Sequence, residues 1–345
     1  MVTKIGIDLG YANITISDAS SGVFREPSVA LIDRDNRRVI SVGDSAIAGE
    51  GKSEGAGVLV RPFKNGLLFD QQITRSIINK SVRAVPHSDR LRCVIGTPSD
   101  ILPKQEKELF GMFHDAGVTE CFSVNRALAA LVGAGYPPDM SVVSVNIGAQ
   151  STEIALINEG KVIYTVREAV GGEDFDKAVK QYVYDQGDVN VSLSVARAIK
   201  ERLGAVWGGK PIESVDIEGT LSLTGNKVHM NITSEDIVGV FEKPLHTLLI
   251  AVATAIKKIP LDNVEKTFEN GIVLTGGGAL IYGLDIMMNK VLSIKVTQPV
   301  DAIDSVAKGL SRINAMIPQK ARASGKNITS QVAKFYDAKM KSDKD

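Results

Sequence analysis

The 345-residue chain has no excess of charge of either sign: 40 Lys and Arg stand against 40 Asp and Glu. A neutral balance exerts no general pull on nucleic acid or anionic membrane, so contact with either would need a local patch. Aromatic side chains are scarce, at 5%, which argues against the stacking platforms that bind single-stranded nucleic acid. No nucleic-acid partner is expected. Cysteine is nearly absent. Cys93 and Cys121 have no CxxC partner or His-rich tract near them and read as reduced residues of buried strands in a protein that works inside the cell. Met1-Val2-Thr3-Lys4 passes straight into a strand pattern without a charged and apolar leader, which adds to the expectation of a cytoplasmic chain. Long apolar runs are missing too. The stretch from Pro244 to Ile256 falls short of the ~20 residues that a membrane span requires, and reads as a core helix.

Glycine, by contrast, is plentiful at 32 residues, and its placement is informative. The segment Lys4-Ile5-Gly6-Ile7-Asp8-Leu9-Gly10-Tyr11-Ala12-Asn13-Ile14-Thr15-Ile16 has a counterpart in Val142-Val143-Ser144-Val145-Asn146-Ile147-Gly148-Ala149-Gln150-Ser151-Thr152-Glu153-Ile154. Each is a β-run, a glycine turn and a second β-run, and a shift of 146 − 8 = 138 residues lays Asp8 on Asn146 and Gly10 on Gly148. Two related domains are implied, and the length suffices for both to bury a core. In each copy a polar residue ends the first strand and small residues leave the backbone N–H groups of the turn open, which suits phosphate oxygens. A third loop, Gly276-Gly277-Gly278-Ala279-Leu280, follows the buried run Gly271 to Thr275 and offers a third phosphate- or nucleoside-facing turn.

Between these landmarks, strand and helix patterns alternate, which predicts helices on mixed sheets. The expected division is a first core unit at 1–30, 80–140 and 304–318, with a small insert at 31–79. A second core unit at 141–185 and 232–303 carries a small insert at 186–231, and a basic tail follows at 319–345. Helices are expected over Gln72 to Val82, Lys104 to Ala116, Phe175 to Tyr184, Val191 to Leu203 and, as one long element, Thr233 to Lys258. In the second insert, Ile212 to Ile217 and Thr220 to Leu223 read as separate strands.

Single glycine turns are weak signals, but their order is specific. Strand-Asp8-x-Gly10, strand-Asn146-x-Gly148-x-x-Ser151-Thr152-Glu153 and Leu274-Thr275-Gly276-Gly277-Gly278 resemble the actin, sugar kinase and heat-shock chaperone superfamily. The resemblance is to bacterial actins of the MreB and MamK type, through Arg25-Glu26-Pro27-Ser28-Val29-Ala30, Arg61-Pro62-Phe63-Lys64-Asn65-Gly66 and Val306-Ala307-Lys308-Gly309 as well as the glycine turns. It spans about residues 3 to 315.

That resemblance implies an α/β, actin-like fold: two domains, each a mixed sheet flanked by helices with a smaller inserted subdomain, and a nucleotide cleft between them. It implies ATP or ADP with Mg²⁺ as cofactors and self-association into filaments. The backbone of Gly10, Tyr11, Ala12 and Asn13 and of Gly148, Ala149, Gln150 and Ser151 would cradle β- and γ-phosphates, with Asp8 reaching the metal through water. Gly276, Gly277, Gly278 and Ala279 would lie against ribose and α-phosphate, with Gly172 beside the second turn. Lys200 resembles the family lysine beside the adenosine, although its position alone suggests a solvated helix face.

Several positions depart from the family. Asn146 stands where Asp is usual, and Ala149 and Gln150 where glycines are usual. The glutamate that orients the attacking water is replaced by Arg126 in Ser123-Val124-Asn125-Arg126-Ala127-Leu128-Ala129-Ala130, and Arg197 stands where a glutamate near the ribose is common. A guanidinium accepts no proton, so slow or absent hydrolysis is expected. Ser151, Thr152 and Glu153 are the remaining catalytic candidates. Of these Ser151 is favoured because it lies in the turn, while Thr152 reads equally as a β-former and Glu153 as a structural acceptor.

Neither membrane device of the family is evident, since the N-terminus is short and Ala84 to Leu91 offers no paired apolar side chains. The tail from Gln319 to Asp345 has seven Lys or Arg against three Asp, with Ile328, Val332, Phe335, Tyr336 and Met340 at near-helical spacing. It leaves open a membrane or protein partner, and with it a position peripheral to the inner membrane, but a solvated, partly disordered segment is the plainer expectation. Two other functions compete with a filament: a small-molecule kinase, for which no catalytic Asp stands out near Phe63 to Asp70, and a non-polymerising scaffold of the FtsA or PilM sort.

Overall fold

A computed structural model describes residues 2–18, 22–50, 57–64, 67–86, 90–319, 321–323 and 325–342. Most of the Gly49 to Gly57 stretch, the Asn65-Gly66 part of the basic motif and His87 to Asp89 lie outside the described residues. The molecule is organised by two core sheets of the same topology. In the first, the order is Lys326–Asn327, Glu120–Asn125, Arg90–Thr97, Val2–Leu9, Asn13–Asp18, Gly22–Pro27; in the second it is Lys161–Glu168, Thr152–Asn158, Val142–Ile147, Ile272–Thr275, Val296–Thr297. In both, the first strand of the half runs antiparallel to the strand after its glycine turn and parallel to one contributed from further along the chain. The sequence repeat is thus a repeat of topology. These central strands are near-continuous apolar runs because both faces are covered; all six residues of Val142–Ile147 are buried.

Two helices cross between the sheets. Arg126–Gly133 has every residue buried, and Ser305–Met316 packs across it. They meet backbone to backbone: a Cβ on Gly133 would strike the Ser305 carbonyl, and one on Gly309 the Ala129 carbonyl. Any larger residue would push the helices apart. The apolar cluster at this crossing takes Val94, Phe122 and Val124 from the first sheet and Val142, Ala155 and Val273 from the second, so it joins the two halves.

Smaller three-stranded sheets are formed by Val39–Val42, Ala30–Asp33 and Gly57–Val60, and by Val189–Asn190, Ser214–Leu221 and Lys227–Thr233. The two strands expected within 212–223 are one strand. Gly219 at its centre makes no turn; it lets the strand lie against Val189 and Asn190. The helix expected from Thr233 to Lys258 is two, Ser234–Ile237 and Glu242–Ile256. Gly239 between them sits at φ 86°, left-handed backbone that no helix continues, and Pro244 is tolerated because it falls in the first turn of the second helix. That helix buries Leu248, Ala251, Val252 and Ala255 against the second core. Among the described residues no single helix is long and apolar enough to cross a membrane.

The tail departs most from expectation. Lys326–Asn327 adds a strand beside Phe122 and Ser123, and the amide of Cys121 donates to the Ala323 carbonyl (3.0 Å). Ile328 and Val332 are buried and Phe335 packs on the same cluster. Three of the five apolar residues of the tail are thus spent on the protein's own core, and the open edge of Glu120–Asn125 supplies the partners that its strand needs. Met340 remains exposed.

Candidate functional site

Both repeated first strands end in one cleft of about 830 Å³, between the two halves. It gathers Asp8, Gly10, Tyr11, Ala12 and Asn13 from one half and Gly148, Ala149, Gln150, Ser151, Glu153, Gly172 and Lys200 from the other, with Gly276, Gly277 and Gly278 at the end of Ile272–Thr275. Two expected residues stand outside its lining. Thr152 is fully buried and donates its hydroxyl to the Val170 carbonyl (2.7 Å), so it ties a loop to its strand. Ala279 is fully buried in the second core, since the 3₁₀ turn Gly277–Leu280 rotates it away from the cleft.

The two glycine turns close alike: the Gly10 amide donates to the Asn13 carbonyl (3.0 Å), and the Gly148 amide to the Ser151 carbonyl (2.9 Å). Those two amides are therefore not available to a ligand, contrary to the expectation that all four of each turn would be. What orients the remaining groups differs between the turns. In the first, Arg61 donates to the carbonyls of Tyr11 and Ala12 (both 3.1 Å) and Ser28 donates its amide to Ala12 (2.9 Å). Arg61 also lies over the Tyr11 ring, 5.0 Å from its centroid. In the second, the amides of Gly172 and Glu173, which open helix Gly172–Gly187, donate to the carbonyls of Gly148 (2.9 Å) and Ala149 (2.7 Å). The amides of Tyr11, Ala12, Ala149 and Ser151 have no protein partner among the described residues, and all four residues line the cleft.

At the floor lies a buried charge cluster. Arg126 begins the crossing helix, capped by the Asn125 side chain, and places its Nε 3.1 Å from Asp8 Oδ1 while an Nη donates to the Leu9 carbonyl (3.2 Å). Burial works against the guanidinium charge, but Asp8 and Glu153, from opposite halves, outweigh it and hold Arg126 firmly protonated. Burial also lifts the Asp8 and Glu153 carboxyls above their usual range, with Arg126 opposing in both cases. The Asp8 contact is a charge pair off the N–H axis. Asp8 Oδ1, Arg126 Nε and both Glu153 oxygens are buried without an aligned hydrogen bond, and such orphaned atoms grouped in a cleft point to a polar ligand.

On the far wall, Asp176, fully buried, pairs with Lys200 (2.6 Å) and Arg197 (3.2 Å). Lys200 also donates to the Gly172 carbonyl (3.0 Å); it lines the cleft and is no solvated helix residue. Asp176, Glu173 and Lys210, which also line the cleft, and Arg61, which braces the first turn, were not singled out as site residues from the sequence, because a charged side chain on a helix or loop carries no local mark of the cleft it faces. A cue existed in the i, i+3 pair Arg197 and Lys200, two cations on one face of a helix.

The expected Mg²⁺ fits this donor set poorly. A hydrated Mg²⁺ needs acceptors for the hydrogens of its water shell. Asp8 Oδ1 faces the guanidinium, and Asn146 Oδ1 accepts from the Thr275 hydroxyl (3.2 Å).

Two topologically repeated halves, joined by crossed helices and presenting glycine turns to a shared cleft, define an actin-like protein. Solved structures of that fold superpose over most of the chain. MreB5 of Spiroplasma citri, determined with ADP and with AMPPNP, matches at TM-score 0.83 and 22% identity over 90% of this chain and 95% of that one. A MamK double helical filament matches at TM-score 0.79 and 21% identity over 92% and 100%. The MreB/Mbl protein family model matches residues 2–322, and the chain belongs to that family. The cell shape-determining protein MreB of Escherichia coli (strain K12) is 29% identical over 325 residues, covering 91% of this chain and 93% of its own length.

Proposed function

We propose that the chain is an ATP-binding, filament-forming cytoskeletal protein of the cytoplasm that hydrolyses its nucleotide slowly. The observation that carries this reading is the pair of like-shaped turns that line one cleft from opposite halves and keep unpaired amides, an arrangement suited to a phosphate chain that bridges two domains. Tyr11, Ala12, Ala149 and Ser151 would donate to β- and γ-phosphates. Gly276 to Gly278 would let the backbone approach the sugar, and Lys200 would flank the nucleoside. The ADP and AMPPNP complexes of the Spiroplasma protein support a nucleotide, and the MamK filament and the cell-shape role of the E. coli relative support assembly. The division into two core units with inserts at 31–79 and 186–231 belongs to this reading, the inserts supplying contacts between successive subunits.

Arg126 explains slow turnover. By the family resemblance it lies where a general base would, permanently charged and acceptor-free, and Glu153, a carboxylate of the opposite half, is engaged electrostatically with it. Calorimetry with ATP and ADP, followed by light scattering and electron microscopy with each nucleotide, tests the whole reading. Saturable binding and filaments are expected. Binding without assembly at any salt or protein concentration would favour the scaffold function instead.

A further inference from the structure

We propose that the Arg126 guanidinium takes the place of the divalent cation, so that this chain binds its nucleotide without Mg²⁺. The inference rests on the nucleotide reading above. It begins from location: Arg126 is 7% exposed and sits where the two halves meet, its Nε 3.1 Å from Asp8 Oδ1 and its charge stabilised by Glu153 of the opposite half. Arg126 lines the same cleft as both turns, within reach of a phosphate chain laid between them.

The guanidinium also has donors to give. Of its five N–H groups, one is committed to the Leu9 carbonyl, while Nε has no aligned acceptor although it is buried. Planar guanidinium forks match pairs of phosphate oxygens and keep their charge at every working pH. Of the oxygens that would orient a metal's water shell, Asp8 Oδ1 already faces the Arg126 cation in a charge pair and Asn146 Oδ1 accepts from the Thr275 hydroxyl, so a divalent cation beside Asp8 would have to sit against a fixed positive charge. The sequence departure at 126 and the one at 146 therefore act in the same direction. A cation was added in the protein, and a carboxylate that would have served a metal was removed. Because Arg126 is held at the start of a fully buried helix, its charge is in place before the nucleotide arrives.

The test compares the affinity of the full chain for ATP in excess Mg²⁺ with that in excess EDTA, by calorimetry or with a fluorescent ATP analogue. For the wild type, the two affinities should agree within about threefold. A loss of about tenfold or more in EDTA, 1.4 kcal/mol, overturns the inference and leaves the nucleotide reading standing. Absence of binding in both conditions overturns the nucleotide reading and the inference with it. In Arg126→Glu, binding should become Mg²⁺-dependent by at least about tenfold. Should that variant not fold, Arg126→Lys, which keeps the charge but loses the fork, should bind ATP more weakly yet equally with and without Mg²⁺. A metal requirement in Arg126→Lys as strong as that of a metal-dependent binder would overturn the inference.

Discussion

The two glycine turns have the same shape and are held by different means. The first is braced mainly by a side chain, Arg61, reaching across from the stretch that follows the small sheet to grip the Tyr11 and Ala12 carbonyls, with the Ser28 amide as a second donor to Ala12. The second is braced by backbone, the first amides of helix Gly172–Gly187 gripping the Gly148 and Ala149 carbonyls. The strands leading into them end differently as well: Asp8 meets a buried cation, Asn146 a hydroxyl. Duplicated topology has thus kept the geometry that presents amides to the cleft while the supports beneath it diverged. Deleting Arg61 would leave the first turn with the single Ser28 amide on Ala12, whereas the second turn, braced by backbone, yields only to added bulk.

The largest effect is expected at the charged strand end. With Mg²⁺ supplied, Arg126→Glu places a carboxylate where the guanidinium stood, and phosphate release should rise by about two to four powers of ten, the usual contribution of a positioned general base. A rate that does not move would shift attention to Ser151 and Glu153, which line the same wall.

Gly277 separates ligand clash from protein clash. A Cβ there meets only Ile303, at 3.8 Å, so Gly277→Leu should leave the melting temperature nearly unchanged and weaken ATP binding by about tenfold or more. One residue on, a Cβ at Gly278 runs into the Ile147 side chain, and Gly278→Ala should destabilise by about 1–3 kcal/mol. Equal stability losses in both variants would mean that the loop is not shaped for a ligand.

The braces themselves come next. Arg61→Ala removes hydrogen bonds from a charged donor, worth about 1.5–3 kcal/mol, and should weaken ATP binding with little loss of expression. Gly171→Ala brings a Cβ to 2.6 Å from the Ala149 carbonyl and should destabilise the second half by about 1–3 kcal/mol, visible as a lowered melting temperature without ligand. If Arg61→Ala costs stability and no affinity, the first turn is not a ligand site.

The smallest effect is expected at Thr152. Thr152→Val breaks the bond to the Val170 carbonyl, should cost about 1 kcal/mol of stability, and should leave hydrolysis unchanged. A changed rate would restore Thr152 to the catalytic group.

Much of the site was legible because local chemistry announces it: a strand period, a polar end residue and a run of small residues mark all three turns. Lys200 was placed by family resemblance, since nothing local separates a lysine facing a cleft from one facing water; its burial follows from Asp176 on the neighbouring helix. The docked tail was illegible for a similar reason. Its basic charge suggested solvent, but the free edge beside Phe122 and Ser123 that receives it belongs to a distant part of the chain. The break at Gly239 was open to reading and was overridden by the long apolar period on its far side.

By itself, then, the sequence determined the duplication and the turns, because each is a statement about neighbouring residues; that Arg126 stands where the family has a glutamate came from the resemblance. That Arg126 pairs with Asp8 was decided only in three dimensions. Parallel register sets Asp8 opposite Gly96 and Gly96 opposite Val124, so the strands end together and the residue opening the next helix arrives at the carboxylate. Strand order and register between distant segments are settled by which apolar faces can be buried together over the whole chain, and no local pattern contains that information.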